Sequence, residues 1–384
     1  MKKIYQLDSL RGLACLLILF DHSLSQDYIA KKGFGFLGAF IGVDIFFVLS
    51  GFLISLTLRN ELREQGCINI KNFFVRRLLR LTPALFVAFI LFALPIYIYE
   101  GIERLWLEFF YLFSYTTVIP KMFEVLKFFP QPYYFPHAWS LSVEELFYLA
   151  FPFIFVASTT SIKSNYKFII KLIIFYIFSF LTLPFAFDFL KGGAYHNVIM
   201  HFGQIGIGVV CGLSYFNITT ITHSRNKQIN GNLFMEASNK VRNFLFILTK
   251  NTSLLFAFIY IFFVIVIGSP SSIWLYYGGF PLLTLSIAIV LLTISTDPYR
   301  LSLFNSKILQ EIGKISYGIY LFHLPIYRLG DKFMQGNYKL IYQKNILYFI
   351  TVDIAYILFV ISIAFISYYF VEIKFIKYKV FFSS

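Results

Sequence analysis

The sequence predicts an all-α protein, a polytopic membrane bundle of about ten transmembrane helices. Of the 384 residues, 58% are apolar and only 14% are charged, whereas soluble proteins average roughly 25% charged residues. Many apolar runs approach the roughly 20 residues that a helix needs to cross a bilayer. The 50 Phe and 27 Tyr are more than one soluble core could bury, and the alternation typical of a membrane β-barrel is absent.

The apolar runs place the helices in chain order. The run Leu105–Val118 is short and is interrupted by Glu108, so we predict an outer-surface or re-entrant segment there, within a lid of about residues 100–138. The predicted spans are Leu7–Ser25, Phe36–Leu58, Pro83–Tyr99, Trp139–Ala157, Phe168–Phe187, Val198–Phe216, Ser253–Gly268, Gly279–Ser295, Ile312–Arg328 and Ile346–Phe370.

The positive charges predict the orientation. The net charge is +14, but most Lys and Arg lie in alternate short loops, which is the pattern that orients membrane helices and does not indicate nucleic-acid binding. This bias predicts cytoplasmic termini and a cytoplasmic loop from about Asn217 to Thr252. We expect one integral-membrane domain over residues 1–384, without a fused soluble domain, surrounded by membrane lipid.

The three cysteines, Cys15, Cys67 and Cys211, form no C-x-x-C pair. They predict neither a disulfide framework nor a metal site.

Ionisable residues in the first predicted span are functional candidates, because charge inside a membrane is costly. Arg11 and His22 are eleven residues apart, which is three helical turns, so they face the same way about 16 Å apart along the axis. Asp8 lies one turn before Arg11. The alternative interpretation is an Asp8–Arg11 pair at the helix start, with His22 packed at an interface.

In the second span, Ser50-Gly51 lies inside an apolar run, where small residues permit close helix packing. We favour packing over a catalytic serine. Asp44 in the same span requires a polar partner or a water-lined cavity.

Arg77 and Arg80 lie one turn apart before the third span. Guanidinium groups bind phosphate oxygens in a bidentate fashion, so this pair is a candidate phosphate site. Ordinary anchoring to anionic lipid is the alternative.

Two carboxylates, Glu144 and Glu145, lie about one turn inside the fourth span. Glu144 is a candidate for orienting His22 or accepting a proton, and Glu145 is explained by the helix-start dipole. The aromatic run at 133–139, which ends at Trp139, is suited to stacking on a sugar or to an interfacial belt.

The ninth span carries Ser316, Tyr320 and His323 at positions i, i+4 and i+7, which is one helix face. This polar stripe predicts either a substrate contact or a structural hydrogen-bonded row facing the bundle interior.

The ordered set LDSLRG with His22, FFVLSGFLIS, RRLLRLTP, WSLSVEELFYL and ISYGIYLFH resembles the acyltransferase 3 family of bacterial membrane acyltransferases over essentially the whole chain. The resemblance implies transfer of acetyl from acetyl-CoA to a glycan or lipid-linked glycan. It implies an essential pair at Arg11 and His22, an arginine motif at Arg77 and Arg80, and an acidic residue at Glu144. It also implies a place in the bacterial inner (cytoplasmic) membrane. We expect no fused esterase-like domain, so transfer would be completed in the membrane domain or by a partner.

The residue chemistry agrees with this resemblance, because a hydroxyl nucleophile needs a base and CoA phosphates need cations. A succinyl-CoA donor is an alternative within the same architecture. A proton-coupled transporter or flippase of glycan precursors is the alternative from another class, although the paired halves common in transporters are not visible. The oligomeric state stays open.

Overall fold

The computed structural model describes residues 4–23, 38–158, 162–224, 247–334 and 346–382, and within these ranges the chain forms helices and turns without a strand. Two π-helical turns, Leu275–Gly279 and Tyr368–Glu372, precede α10 and α14. The α-helices are α1 Tyr5–Asp21, α2 Ile41–Gln65, α3 Ile70–Phe113, α4 Val118–Met122, α5 Trp139–Ser158, α6 Ile162–Leu181, α7 Leu183–Leu190, α8 Val198–Ser224, α9 Asn251–Ile267, α10 Phe280–Thr296, α11 Lys307–Lys314, α12 Ser316–Met334, α13 Ile346–Ser367 and α14 Ile373–Tyr378.

Several of these helices can cross a membrane, so the chain is a multi-pass membrane protein. Within the described ranges, six helical segments are long and apolar enough, and a seventh results if α6 and α7, bent by 41°, form one span. The predicted count of about ten and the cytoplasmic termini stay predictions. The helices α1 and α9 have 17 residues each, and α12 carries Arg328, Asp331 and Lys332. The predicted loop after Asn217 lies largely outside the described residues.

Gly101 divides α3 into two arms. Its backbone angles, φ 84° and ψ 178°, are accessible mainly to glycine. The second arm folds back on the first, because the ring of Phe89 lies 5.2 Å from that of Phe109 and 5.7 Å from that of Phe113. The run predicted as a separate short segment is therefore the second arm of a helical hairpin. Its depth in a membrane stays a prediction.

Glu108 does more than interrupt that apolar arm. Its buried carboxylate accepts the backbone N–H groups of Tyr133 at 2.5 Å, Tyr134 at 3.0 Å and Phe135 at 3.3 Å. Hydrogen bonds that backbone N–H groups donate to a carboxylate are strong. The second arm of α3 therefore holds the aromatic segment that leads into α5.

The predicted close packing at Gly51 is confirmed. A Cβ atom there would lie 1.9 Å from the carbonyl oxygen of Ile205 on α8, so only glycine allows this approach of α2. Asp44, on the same helix, has the polar partners it requires. Its carboxylate accepts hydrogen bonds from the Gln204 amide at 2.6 Å and the Tyr195 hydroxyl at 3.2 Å. Together these contacts fix α2 against α8.

Candidate functional site

Three neighbouring cavities lie within the bundle. The cationic cavity has a volume of about 240 Å³, the middle cavity about 110 Å³ and the histidine cavity about 980 Å³. The cationic cavity is lined by Asp8, Arg11, Arg80, Gly313, Lys314, Ser316, Tyr317, Tyr368, Glu372, Ile376 and Lys379. The middle cavity includes Arg11, Val43, Ser50, Arg77, Arg80, Ser140, Glu144, Tyr148, Ser316 and Tyr320. The histidine cavity includes Asp21, His22, Val43, Lys121, His137, Trp139, His196, Tyr320 and Arg328.

Shared walls arrange the cavities in a line. The cationic and middle cavities share Arg11, Arg80, Ser316 and Tyr317, and the middle and histidine cavities share Val43 and Tyr320. Arg11 and His22, predicted to face the same way from the first helix, open onto successive parts of this line. A long substrate could therefore extend from the cationic cavity toward the histidine cavity.

His22 follows α1 directly and lines the histidine cavity. Its Nδ1 atom lies 3.1 Å from the carbonyl oxygen of Ile18. Because a carbonyl only accepts hydrogen bonds, Nδ1 carries the proton in this contact, and Nε2 of the neutral ring keeps its lone pair. The local geometry thus selects the tautomer in which Nε2 can act as a base.

Two more imidazoles lie near His22. The His323 ring centroid lies 5.1 Å from that of His22 and 4.7 Å from that of His137. His323 is fully buried, and its Nδ1 donates to the Tyr320 carbonyl oxygen at 2.6 Å. The sequence reasoning placed His137 only in an aromatic run, although a histidine before a buried span is itself a signal. Among the described residues, no group of three or more His, Cys, Asp or Glu side chains forms a metal site.

Tyr320 separates the middle and histidine cavities. Its hydroxyl donates to the His137 carbonyl oxygen at 2.5 Å and contacts the Ser140 hydroxyl at 2.6 Å. The polar stripe predicted on this helix therefore has defined partners at Tyr320 and His323. Ser316, its first member, lines the cationic and middle cavities. Sequence reasoning missed Ser140, which lies next to Trp139 in the WSLSVEE motif.

Arg11 pairs with Asp8, with Nη1 and Oδ1 3.1 Å apart. This is the pair foreseen in the alternative interpretation of the first helix. Arg11 also lines both the cationic and the middle cavity, so the ion pair does not remove it from the site.

Arg77 is the centre of an ion-pair cluster beside the middle cavity. Its Nε donates to both carboxylate oxygens of Glu145 at 2.7 and 2.9 Å, and its Nη2 donates to Glu144 at 3.2 Å. Its guanidinium carbon also lies 3.3 Å from the ring centroid of Tyr148. The interpretation of Glu145 as a helix-dipole contact was therefore wrong, because that carboxylate is bound by an arginine from another helix.

Glu144 also accepts a hydrogen bond from the Ser50 hydroxyl at 2.7 Å. These bonds direct it toward α2 and α3, and Glu144 lines the middle cavity whereas His22 lines the histidine cavity. The idea that Glu144 orients His22 is not supported by these contacts.

The arginines of the RRLLR motif have separate environments. Arg76 pairs with Glu61 at 2.6 Å and donates to the carbonyl oxygen of Phe382 at 2.6 Å. Arg80 lines the cationic and middle cavities. Of the two arginines predicted to bind phosphate, Arg80 has the more open guanidinium.

Trp139, predicted to contact substrate, lines the histidine cavity. Its ring lies 4.7 Å from that of His196 and 5.1 Å from that of His201, measured between centroids. Trp139 therefore forms part of an aromatic wall of the cavity that His22 also lines.

Several known proteins are similar in sequence to this chain. "Putative O-acetyltransferase SACOL0978" of Staphylococcus aureus (strain COL) is 27% identical, covering 98% of this chain and 58% of that protein. "Peptidoglycan O-acetyltransferase OatA" of Listeria monocytogenes is 27% identical, covering 85% of this chain and 50% of its own length. "O-acetyltransferase OatA" of S. aureus (strain NCTC 8325 / PS 47) is also 27% identical, over 83% of this chain and 50% of that protein.

The chain thus spans little more than half the length of these relatives, and no solved structure matches it. The family model described as an acyltransferase domain matches residues 4–371, nearly the whole chain. This match over nearly the whole chain shows that the chain belongs to the acyltransferase 3 family.

Proposed function

We propose that this chain is an O-acetyltransferase that transfers acetyl from cytoplasmic acetyl-CoA to a hydroxyl group of a cell-envelope glycan. The observation that carries the proposal is the line of cavities, with cations at one end and a histidine of defined tautomer at the other. Membership of the acyltransferase 3 family and the O-acetyltransferase names of its relatives support it.

The cationic cavity is the proposed site for the CoA phosphates. Arg80, Lys314 and Lys379 line it, with Arg11 at its junction with the middle cavity. Burial, reinforced by the charges of the neighbouring arginines, lowers the pKa of Lys379 to about 8. Phosphate oxygens would relieve this repulsion and make charge-assisted hydrogen bonds. The narrow pantetheine arm would then occupy the middle cavity, along Ser316.

Arg77 and Glu144 have a supporting role in this proposal. The ion-pair cluster joins α3 to α5, and Ser50 connects it to α2. It therefore holds the wall of the middle cavity in place. A phosphate contact from Arg77 would have to compete with two carboxylates.

His22 is the proposed general base. Its Nε2 takes the proton from the acceptor hydroxyl as the oxygen attacks the thioester carbon. The carbon–sulfur bond then breaks, the proton passes to the sulfur, and the products are a glycan ester and CoA. A second route, in which His22 carries the acetyl group covalently, is chemically open to the same atom.

The histidine cavity is the proposed acceptor site. Its volume of about 980 Å³ is at the upper end of small-molecule sites, at about 1,000 Å³, and Trp139 offers an aromatic face to a sugar ring. The aromatic segment held by Glu108 would form its lid. The positive-charge bias supports an extracytoplasmic opening in the bacterial cytoplasmic membrane.

Mass spectrometry of envelope glycans tests the proposal. A deletion strain, the same strain with the wild-type gene, and the same strain with His22→Ala are compared. We expect glycan acetyl esters with the wild-type gene and their loss in the other two strains. Identical ester content in all three would contradict the proposal.

An assay of the purified chain in lipid nanodiscs distinguishes a transferase from a protein of the competing class, a flippase or transporter. A flippase or proton-coupled transporter would move glycan without consuming acetyl-CoA. Release of CoA from labelled acetyl-CoA, dependent on His22, is the result expected of a transferase.

A further inference from the structure

The boundary between the middle and histidine cavities is formed by very few side chains. Among their described lining residues, only Val43 of α2 and Tyr320 of α12 border both cavities. Val43 also packs against both buried hydrophobic clusters of the bundle. The two cavities therefore adjoin at these two side chains.

Tyr320 is held in place on its side of this junction. Its hydroxyl contacts the His137 carbonyl oxygen at 2.5 Å and the Ser140 hydroxyl at 2.6 Å, and the side chain is buried. Moving the ring would break both hydrogen bonds in a buried environment, where unpaired polar groups are costly.

Val43 is held equally well, through its two neighbours in the chain. Gly42 touches α1 so closely that a Cβ atom would lie 2.4 Å from the carbonyl oxygen of Ala14. Asp44 is bonded to Gln204 and Tyr195. With α2 fixed on both sides of Val43, the valine side chain keeps a fixed place at the junction of the two cavities.

We propose that Val43 is the residue that limits the size of the acyl group, admitting acetyl and rejecting propionyl and longer chains. The inference rests on the proposed function, since it assumes a thioester in the middle cavity and an acceptor hydroxyl beside His22. In that arrangement the thioester carbonyl meets the hydroxyl at the junction of the two cavities, where the acyl tail lies against Val43. One extra methylene in a fixed apolar site typically changes kcat/KM about 10–200-fold. A charged succinyl tail would also have to lose its hydration there.

A competition assay tests this role. Membrane vesicles that contain the endogenous acceptor are prepared from the deletion strain carrying each full-length variant. They receive equal amounts of acetyl-CoA and propionyl-CoA, and mass spectrometry counts the two esters on the glycan. We expect Val43→Ala to raise the propionyl-to-acetyl ratio by about tenfold or more. We expect Val43→Ile to lower this ratio and to slow acetyl transfer.

Val48→Ala is the matched control. It makes the same change on the same helix at a buried position that lines neither cavity, so it leaves the ratio at the wild-type value. Val43→Ile decides the question if Val43→Ala does not reach the membrane.

The outcomes separate the two proposals. No ester from either donor in wild-type vesicles would overturn the proposed function together with this inference. Acetyl esters with an unchanged ratio in both Val43 variants would overturn the inference alone. So would a wild-type preference for propionyl-CoA, or for succinyl-CoA in a parallel reaction.

Discussion

Replacing Arg77 and replacing Arg80 should produce two different defects, although the residues lie one turn apart on α3. Arg77 is bound to the carboxylates of Glu144 and Glu145. Among the described residues, no carboxylate pairs with Arg80, which lines the cationic and middle cavities. We therefore expect Arg77→Ala to lower stability and Arg80→Ala to weaken donor binding.

The size of the stability loss in Arg77→Ala follows from the carboxylates of Glu144 and Glu145, which lose their cationic partner. Removing one partner of a buried ion pair typically costs about 3–5 kcal/mol, because the other charge stays buried without compensation. The side chains of Arg77, Glu144 and Glu145 are 16%, 22% and 20% exposed, and water screens part of the charge. We expect a loss in the free energy of unfolding of about 3 kcal/mol, at the lower end of that range.

Replacing Arg80 should lower the affinity of the protein for CoA. A hydrogen bond to a charged group contributes about 1.5–3 kcal/mol, which corresponds to CoA binding that is about tenfold to a hundredfold weaker. Because Arg80 is exposed, its removal should change the free energy of unfolding by no more than about 0.5 kcal/mol.

Two measurements on the purified chain in nanodiscs resolve these effects: thermal unfolding followed by tryptophan fluorescence, and equilibrium binding of labelled CoA. Arg77→Met combined with Glu145→Gln is the control, since it removes opposite charges together and should recover much of the stability lost in Arg77→Ala. Weaker CoA binding in Arg77→Ala with unchanged unfolding would refute the reasoning. Unchanged CoA affinity in Arg80→Ala would refute the assignment of the cationic cavity.

Three further predictions concern the proposed base, the cationic cavity and the topology. His22→Ala should reduce transfer by about 10²–10⁴-fold while membrane content and unfolding temperature stay at wild-type values; wild-type turnover would exclude His22 as the base. The pKa of Lys379, about 8, predicts that the KM for acetyl-CoA rises from about pH 7 to about pH 9 as its charge is lost. Lys379→Arg, which stays charged, should abolish that rise. Tyr133→Cys in a cysteine-free background should react with an impermeant thiol reagent from outside, and labelling only from the cytoplasm would reverse the predicted topology.

Local features of the sequence were sufficient for part of the fold. The lengths of the apolar runs predicted a helical membrane bundle, because a bilayer forces backbone groups to bond within each segment. Gly51 and Asp44 could be interpreted from their types alone, since close helix packing requires a small residue and a buried carboxylate requires donors. The number of spans stays a prediction, and α12 shows why it is hard to derive from the sequence, because this helix combines an apolar half with charged residues near its end.

The acidic pair in α5 shows where such reasoning fails. From the sequence, Glu145 was explained by the helix dipole and Glu144 was directed toward His22. In the structure both bind Arg77, which lies 67 and 68 residues away in the chain. An ion pair over such a separation depends on how α3 packs against α5, which no local pattern reports.

The sequence by itself determined the residue types available for chemistry: a histidine at the end of the first helix, cations before the third span and a polar stripe on α12. The spacing of residues along a helix fixes which of them share a face, so these features depend only on the local order of residues in the chain. Only the tertiary structure decided that these residues line three successive cavities, that Tyr320 and Val43 separate two of them, and that Arg77 is already bound. Such relations arise from side chains on different helices meeting in space, and their distances are set by the packing of the whole bundle.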